Sequence, residues 1–439
     1  MTHPPAPAGA ARARRAVVAV GLTFALAAAG IAQPPPNKEA NGKADALPVP
    51  PPAASPGSTL SLGECIAIGL ERNPTVTAAV HSLHSAQAGQ HALNNLPRYA
   101  QLLKKEIPVR QQQADCGVAI AEADVRKARQ DVTYDVTRLY YTYVYASQQE
   151  KTANDVIVQM EVFYKVAEEI VKSGIRDAKI KVDQFTLYAL RNRITDVKLL
   201  LIKAEVGRQQ ALDALREAMG VDDSLRFVPR DTELPLMGGT ITKELVIRSA
   251  LANRPELVQA TVGVEAFRLE VCAQSKARGL QVPTLASGSD LHARQVPQAV
   301  RTDADYRPGA IAPEMPPGLV GRKDDRVARA WELSHRQGSV YEKALNLIRL
   351  EAAVAYLNWE ATTRRRDEAK RRYEDSRKMV EDSRQIVNVK QDFELLFNNE
   401  ALAGKAQAEY VEAVLEHLKA MAALERVTAG GIVPAFPGR

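Results

Sequence analysis

The chain has 439 residues, of which 25% are charged and only 5% aromatic, with a formal net charge of +6. That balance suits long helices with narrow apolar seams better than a thick globular core. The small basic excess is interspersed with acid and has no basic stripe with aromatic stacking platforms, which argues against nucleic acid as a partner.

Met1 to Arg15 ends in Arg12, Arg14 and Arg15, and Ala16 to Ala29 is an apolar run of 14 residues. Such a run has the length of a signal-peptide core and is short for a membrane span. Gly30 and Ala32 supply small residues for cleavage, so 1–32 reads as a signal peptide, with an uncleaved anchor as the alternative. Export would bring an oxidising compartment. The three cysteines, Cys65, Cys116 and Cys272, have no CxxC spacing and read as small hydrophobes on helices, with one disulfide left open.

Residues 33–58 hold eight prolines and read as a semi-extended linker. Order is expected from Leu60, where Ser61 and Glu64 make a capping box for a helix from Gly63 to Arg72. Pro74 fits the first turn of the next helix, which runs to about Asn95 before Leu96-Pro97 closes it. Arg98 to Asp115 reads as a short polar segment. From near Val118, apolar residues recur in steps of three and four through Ala121, Val125, Ala128, Val132 and Val136. Continued to Lys172, this predicts a coiled-coil-like helix roughly 80 Å long. Gly174 ends it, and a return helix carries Leu187, Leu190, Ile194 and Val197 towards Gly220.

The phrase Glu71-Arg72-Asn73-Pro74-Thr75-Val76 then recurs as Ala252-Asn253-Arg254-Pro255-Glu256-Leu257, its proline displaced by 181 residues. A short helix from Thr242 to Ala252 precedes it, and a Pro255 helix reaches about Gly279. Prolines between Pro283 and Gly321 exclude a regular helix there. Helix resumes near Asp324. Its Arg364 to Arg384 stretch, with nine basic and six acidic residues, reads as a solvated face. A turn from Asn388 to Asp392 leads to a return helix with Ala406, Tyr410, Ala413 and Leu424, ending before Gly430-Gly431. The chain is therefore an internal duplication, with repeats at 59–239 and 240–431 and a tail at 432–439. Its fold class is mainly α, built of duplicated long antiparallel helical hairpins.

No phosphate loop, nucleophile elbow or zinc-protease spacing occurs, so no catalytic or cofactor-binding residue is assigned and no enzyme is expected. His81, His84 and His91 share a helix stripe but lack further ligands, and no metal site is assigned. Tyr140, Tyr141, Tyr143 and Tyr145 read as packing residues.

Leu60-Ser61-Leu62-Gly63-Glu64-Cys65-Ile66-Ala67 with Arg72-Asn73-Pro74, the second Asn253-Arg254-Pro255-Glu256-Leu257, and Tyr410-Val411-Glu412-Ala413-Val414-Leu415 to Ala429-Gly430 carry a family likeness. Together they resemble the outer-membrane efflux protein family, the TolC-like channels, over nearly everything after Ser58. The resemblance implies a homotrimer whose hairpins form a helical conduit across the periplasm of a Gram-negative-type envelope. It further implies an outer-membrane barrel from strands inserted after each Pro-started helix, and hairpin tips that meet a periplasmic adaptor and an inner-membrane pump. Gly174 and Asp183 would sit at one tip or gate, Asn388 and Asp392 at the other.

The chain departs from that pattern where the strands should be. A membrane strand needs about 9 to 11 residues with apolar side chains on alternate positions. Arg98 to Asp115 has no room for two, and Lys104, Lys105, Glu106 and Gln111-Gln112-Gln113 are wrong for a lipid face. Pro283 to Gly321 has room but poor alternation, with Arg294, Arg301, Asp303, Asp305 and Arg307 costly toward lipid. The barrel strands are expected to be reduced or absent. That leaves open a periplasmic scaffold or adaptor-binding protein with the family's body and no pore.

Overall fold

A computed structural model describes residues 58–173, 182–222, 225–284, 315–390 and 393–439. The signal-peptide and most of the linker assignments, Gly174, Asp392 and the middle of the Pro283 to Gly321 stretch lie outside them. Strand β1 (Ser58–Leu60) opens the described chain. The Ser61 hydroxyl accepts the Glu64 N–H, and the Glu64 carboxylate accepts the Ser61 N–H at 2.7 Å. This reciprocal cap starts α1 (Leu62–Arg72). Helix α2 (Pro74–Asn94) follows directly, because the residue before a proline is driven out of the helical region.

The segment expected to be polar coil is instead helical. Residues Arg98–Leu103 form α3, and α4 (Ile107–Ser173) begins about three turns before Val118. Pro108 sits in the first turn of α4, where its missing donor costs nothing. The glutamines and alanines that follow are good helix formers. With 67 residues, α4 is about 100 Å long. Helix α5 (Gln184–Met219) returns along it and ends at Gly220, whose φ of 66° is left-handed. A Cβ at Gly220 would lie 2.6 Å from the Arg72 carbonyl oxygen, so glycine meets both the backbone and the packing requirement. Strand β2 (Phe227–Pro229) then pairs in parallel with β1, Ser58 opposite Phe227.

The second repeat runs through α6 (Lys243–Asn253), α7 (Pro255–Lys276), β3 (Gln281–Pro283), β4 (Gly318–Val320), α8 (Lys323–Lys390) and α9 (Phe393–Val427). Strands β3 and β4 are antiparallel, with Gln281 opposite Val320. Among the described residues these two three-residue pairs are the whole of the sheet structure and close no barrel. Asn388 lies in the last turn of α8, which runs to Lys390, and α9 starts at Phe393, just past the Asn388 to Asp392 stretch expected to turn.

Helices α4 and α5 pack as one hairpin and α8 and α9 as another, while α2 lies along α4 and α7 lies against both α4 and α8. One core spans both repeats, joining Leu62, Val136, Tyr140 and Leu215 to Leu418 and Leu424. The tail belongs to it: Phe436 is buried with its ring 5.6 Å from that of Tyr141, and the Gly438 carbonyl accepts the Gly63 N–H.

The repeated phrase marks equivalent positions. Asn73 and Arg254 share φ −63° with ψ of 125° and 124°. The Asn73 amide donates to the Ala218 carbonyl at 2.8 Å, and the Arg254 guanidinium donates to the Arg426 carbonyl at 3.4 Å. Ala218 and Arg426 are each the penultimate residue of a return helix. Each phrase thus ties the start of its Pro helix to the end of its own hairpin, satisfying carbonyls a helix end leaves open.

Candidate channel-forming surface

The sequence offers no reactive centre, so the candidate working parts are the hairpin ends and the apolar faces that the single chain leaves uncovered. At one hairpin end, Asp183 is the N-cap of α5 and accepts from the Thr186 N–H and hydroxyl, each at 2.8 Å. The Thr186 backbone bond, followed by its hydroxyl, holds this exposed carboxyl below its ordinary value. Asp183 is therefore a solvent-facing anion next to the turn. Of the other tip residues, Asn388 is placed in the last turns of α8, and Gly174 and Asp392 fall outside the description.

The hairpin α4–α5 is apolar on two sides. Leu187, Leu190 and Ile194 of α5 are buried against α4 together with Met160 and Ala167. Phe185, Tyr188, Leu199, Ile202 and Val206 lie on the opposite side of α5 and are exposed. Val158, Val162 and Val166 form a similar exposed row on α4, at four-residue spacing. A helix apolar on two faces is expected to be covered on both. By contrast, the Arg364 to Arg384 stretch of α8 is laced with exposed pairs such as Arg371–Glu368 and Lys378–Asp375, as its charge alternation predicts. Such pairs add at most about 1 kcal/mol each.

Two buried charge networks were not legible in the sequence. At the centre of the molecule, Arg254 pairs with Glu256 at 3.0 Å and with Glu351 at 2.7 Å. Arg426 approaches Glu351 at 3.6 Å and lies over the Tyr134 ring at 4.8 Å. Burial pushes the Glu351 carboxyl up to about 7, against the pull of Arg254 and Arg426.

The second network closes the end where α4 begins. Arg110 binds Glu270 and donates to the Pro283 carbonyl at 2.7 Å. Gln113 and Gln274 donate to the same glutamate, and Arg326 joins Gln274 to the carbonyls of Ala277, Gly279 and Gly321. The signal that could have found it is a carboxylate, Glu270, on the seam of α7 between Phe267 and Val271. Pairing it needed knowledge of which helices meet.

Elsewhere, Tyr140 is buried and its hydroxyl donates to the Leu60 carbonyl while accepting the Asp231 N–H, both at 3.3 Å. It clamps the β1–β2 pair, as a packing tyrosine with a polar handle should. Cys65 is buried, whereas Cys116 is half-buried and Cys272 exposed, so only the first matches the expectation of a small core hydrophobe. No described helix is long and apolar enough to cross a membrane, and the described residues hold no group of metal ligands.

Against solved structures, the outer-membrane channel OprN superposes with a TM-score of 0.64 at 16% identity, covering 84% of this chain and 90% of that one. This is the TolC-like outer-membrane channel fold. The MtrE outer-membrane channel of Neisseria gonorrhoeae in its open state gives 0.63 at 16% identity, covering 84% of this chain and 89% of MtrE. The CmeC outer-membrane channel of Campylobacter jejuni gives 0.59 at 12%, covering 93% and 96%. No protein-family model and no curated protein matches the sequence. At these identities the likeness is one of TolC-like fold.

Proposed function

We propose that the chain is an outer-membrane-factor-like component of a tripartite export system in the cell envelope, forming a homotrimeric helical conduit that does no covalent chemistry. The observation that carries this reading is the second apolar face of α5, uncovered on a body with the TolC-like fold. A copy of the same hairpin is the cover it fits. In this reading the turn beside Asp183, with Gly174 and the Asn388 to Asp392 stretch, is the end offered to a periplasmic adaptor and inner-membrane pump.

Crosslinking and electron microscopy of the purified protein should give a three-fold ring, and a strictly monomeric particle overturns the proposal. The paired substitutions Leu199→Ser and Ile202→Ser should dissociate the ring while leaving helix content unchanged, because both side chains already face solvent in the single chain.

A second reading, a periplasmic scaffold without a pore, is favoured by α3 and the early start of α4, which leave no strand pair between α2 and α4. Release from cells by osmotic shock or salt supports the scaffold. Extraction only by detergent, with single-channel conductance, supports the conduit.

A further inference from the structure

The end of the molecule closed by the Arg110 network carries the most exposed leucines among the described residues, Leu102, Leu103 and Leu280. Helix α3 places Tyr99, Leu102 and Leu103 at the spacing of one helix face, and these residues are 66%, 81% and 74% exposed. Only three residues separate α3 from α4, whose first turns hold Arg110, and Arg110 binds the Pro283 carbonyl of β3. Arg326 binds the carbonyls of Gly279 and Gly321, the residues next to exposed Leu280 and Val320. The polar knot therefore gathers α3 and the β3–β4 ladder at one end, each offering bare aliphatic side chains.

Among the described residues, the charge around them is one-sided. Lys104, Lys105, Lys276, Arg278, Arg322 and Lys323 are exposed there and join no ion pair among the described residues, against the acids Glu106, Asp324 and Asp325. Along the Arg364 to Arg384 stretch of α8, by contrast, arginines and lysines are mostly matched with carboxylates. Exposed leucines flanked by lysines suit a bilayer interface: the apolar groups enter the acyl boundary while long cationic side chains reach the headgroups. A protein partner would have to bury six unmatched cations beside the leucines; a layer of anionic headgroups neutralises them without burial.

We propose that this end docks peripherally on a bilayer containing anionic phospholipid, through the α3 face and the β3–β4 ladder, without a spanning element of its own at α3. The inference rests on the envelope location proposed above but not on the trimer.

The test is co-sedimentation of the full chain with vesicles of phosphatidylcholine alone or mixed with phosphatidylglycerol, alongside size-exclusion and circular dichroism of each variant. The chain should bind the anionic vesicles more tightly than the neutral ones, and less tightly as salt is raised. Leu102→Ser with Leu103→Ser should weaken partitioning about tenfold or more. Lys104→Glu with Lys105→Glu should weaken it about tenfold on anionic vesicles. Failure of the unaltered chain to bind anionic vesicles, or equal binding by the leucine variant, overturns the inference. So does a leucine variant that changes oligomeric state while vesicle binding persists, which would make the face a contact between copies. Because the conduit is judged by the oligomer and this inference by vesicle binding, the two fail separately.

Discussion

Asn73 has two roles at once: its carbonyl oxygen Oδ1 accepts the Thr75 N–H at 2.8 Å as the cap of α2, and its amide donates to the Ala218 carbonyl in the core. Asn73→Ala removes a cap and leaves a buried carbonyl short of a donor, so it should lower unfolding stability by about 2–3 kcal/mol in urea titration. Arg254 fills the equivalent place without a side-chain cap and is held by Glu256 and Glu351. Arg254→Met strands a buried carboxylate and should cost about 3–5 kcal/mol, while adding Glu351→Met should restore most of it. His417 is buried on α9 beside the Thr363 hydroxyl, and burial, with Arg366 nearby, brings its imidazole down from 6.5 to about 4. A depressed histidine contributes stability that is complete above its unfolded value of 6.5 and is lost as pH falls toward 4, because the unfolded chain takes up the proton first. The melting temperature of His417→Gln should therefore fall less steeply than that of the unaltered chain between those two pH values.

The helices show which signals a sequence carries well. The α1 capping box, the two Pro-started helices and the left-handed end at Gly220 stand where local chemistry placed them, because each rests on neighbours within a few residues. The start of α4 was misread because Arg110 and Gln113 look like solvated polar residues, whereas both are buried on Glu270, 160 and 157 residues away. Asparagine favours turns, and Asn388 stands in the last turn of α8, two residues before the helix ends at Lys390. In the proposed trimer, the two faces of α5 separate packing within a hairpin from packing between copies. Leu187→Ala, on the inner face, should destabilise the single chain by about 2–4 kcal/mol. The outer-face change at Leu199 and Ile202 should act on assembly instead, and thermal unfolding compared with sedimentation velocity separates the two effects.

Across the whole molecule, the repeats share one core, and the tail seals it. Phe436 sits in that core against Tyr141, and Arg439 pairs with Glu425 at 2.5 Å beside the end of α9. Phe436→Ala should cost about 3 kcal/mol in thermal or urea unfolding, as for a large buried aromatic, despite lying nine residues past the last helix. Sequence alone determined the duplication, the two long hairpins, the short and Pro-started helices before each, and the lack of room for a strand pair after the first Pro-started helix, since periodicity, caps and prolines act locally. Only the tertiary structure decided that Arg110, Glu270 and Arg326 knot one end together, that Arg254 and Arg426 share Glu351, and that α5 keeps an apolar face bare. Those facts depend on which helices lie side by side, and burial of a charge or exposure of a leucine is a property of that arrangement rather than of the residue.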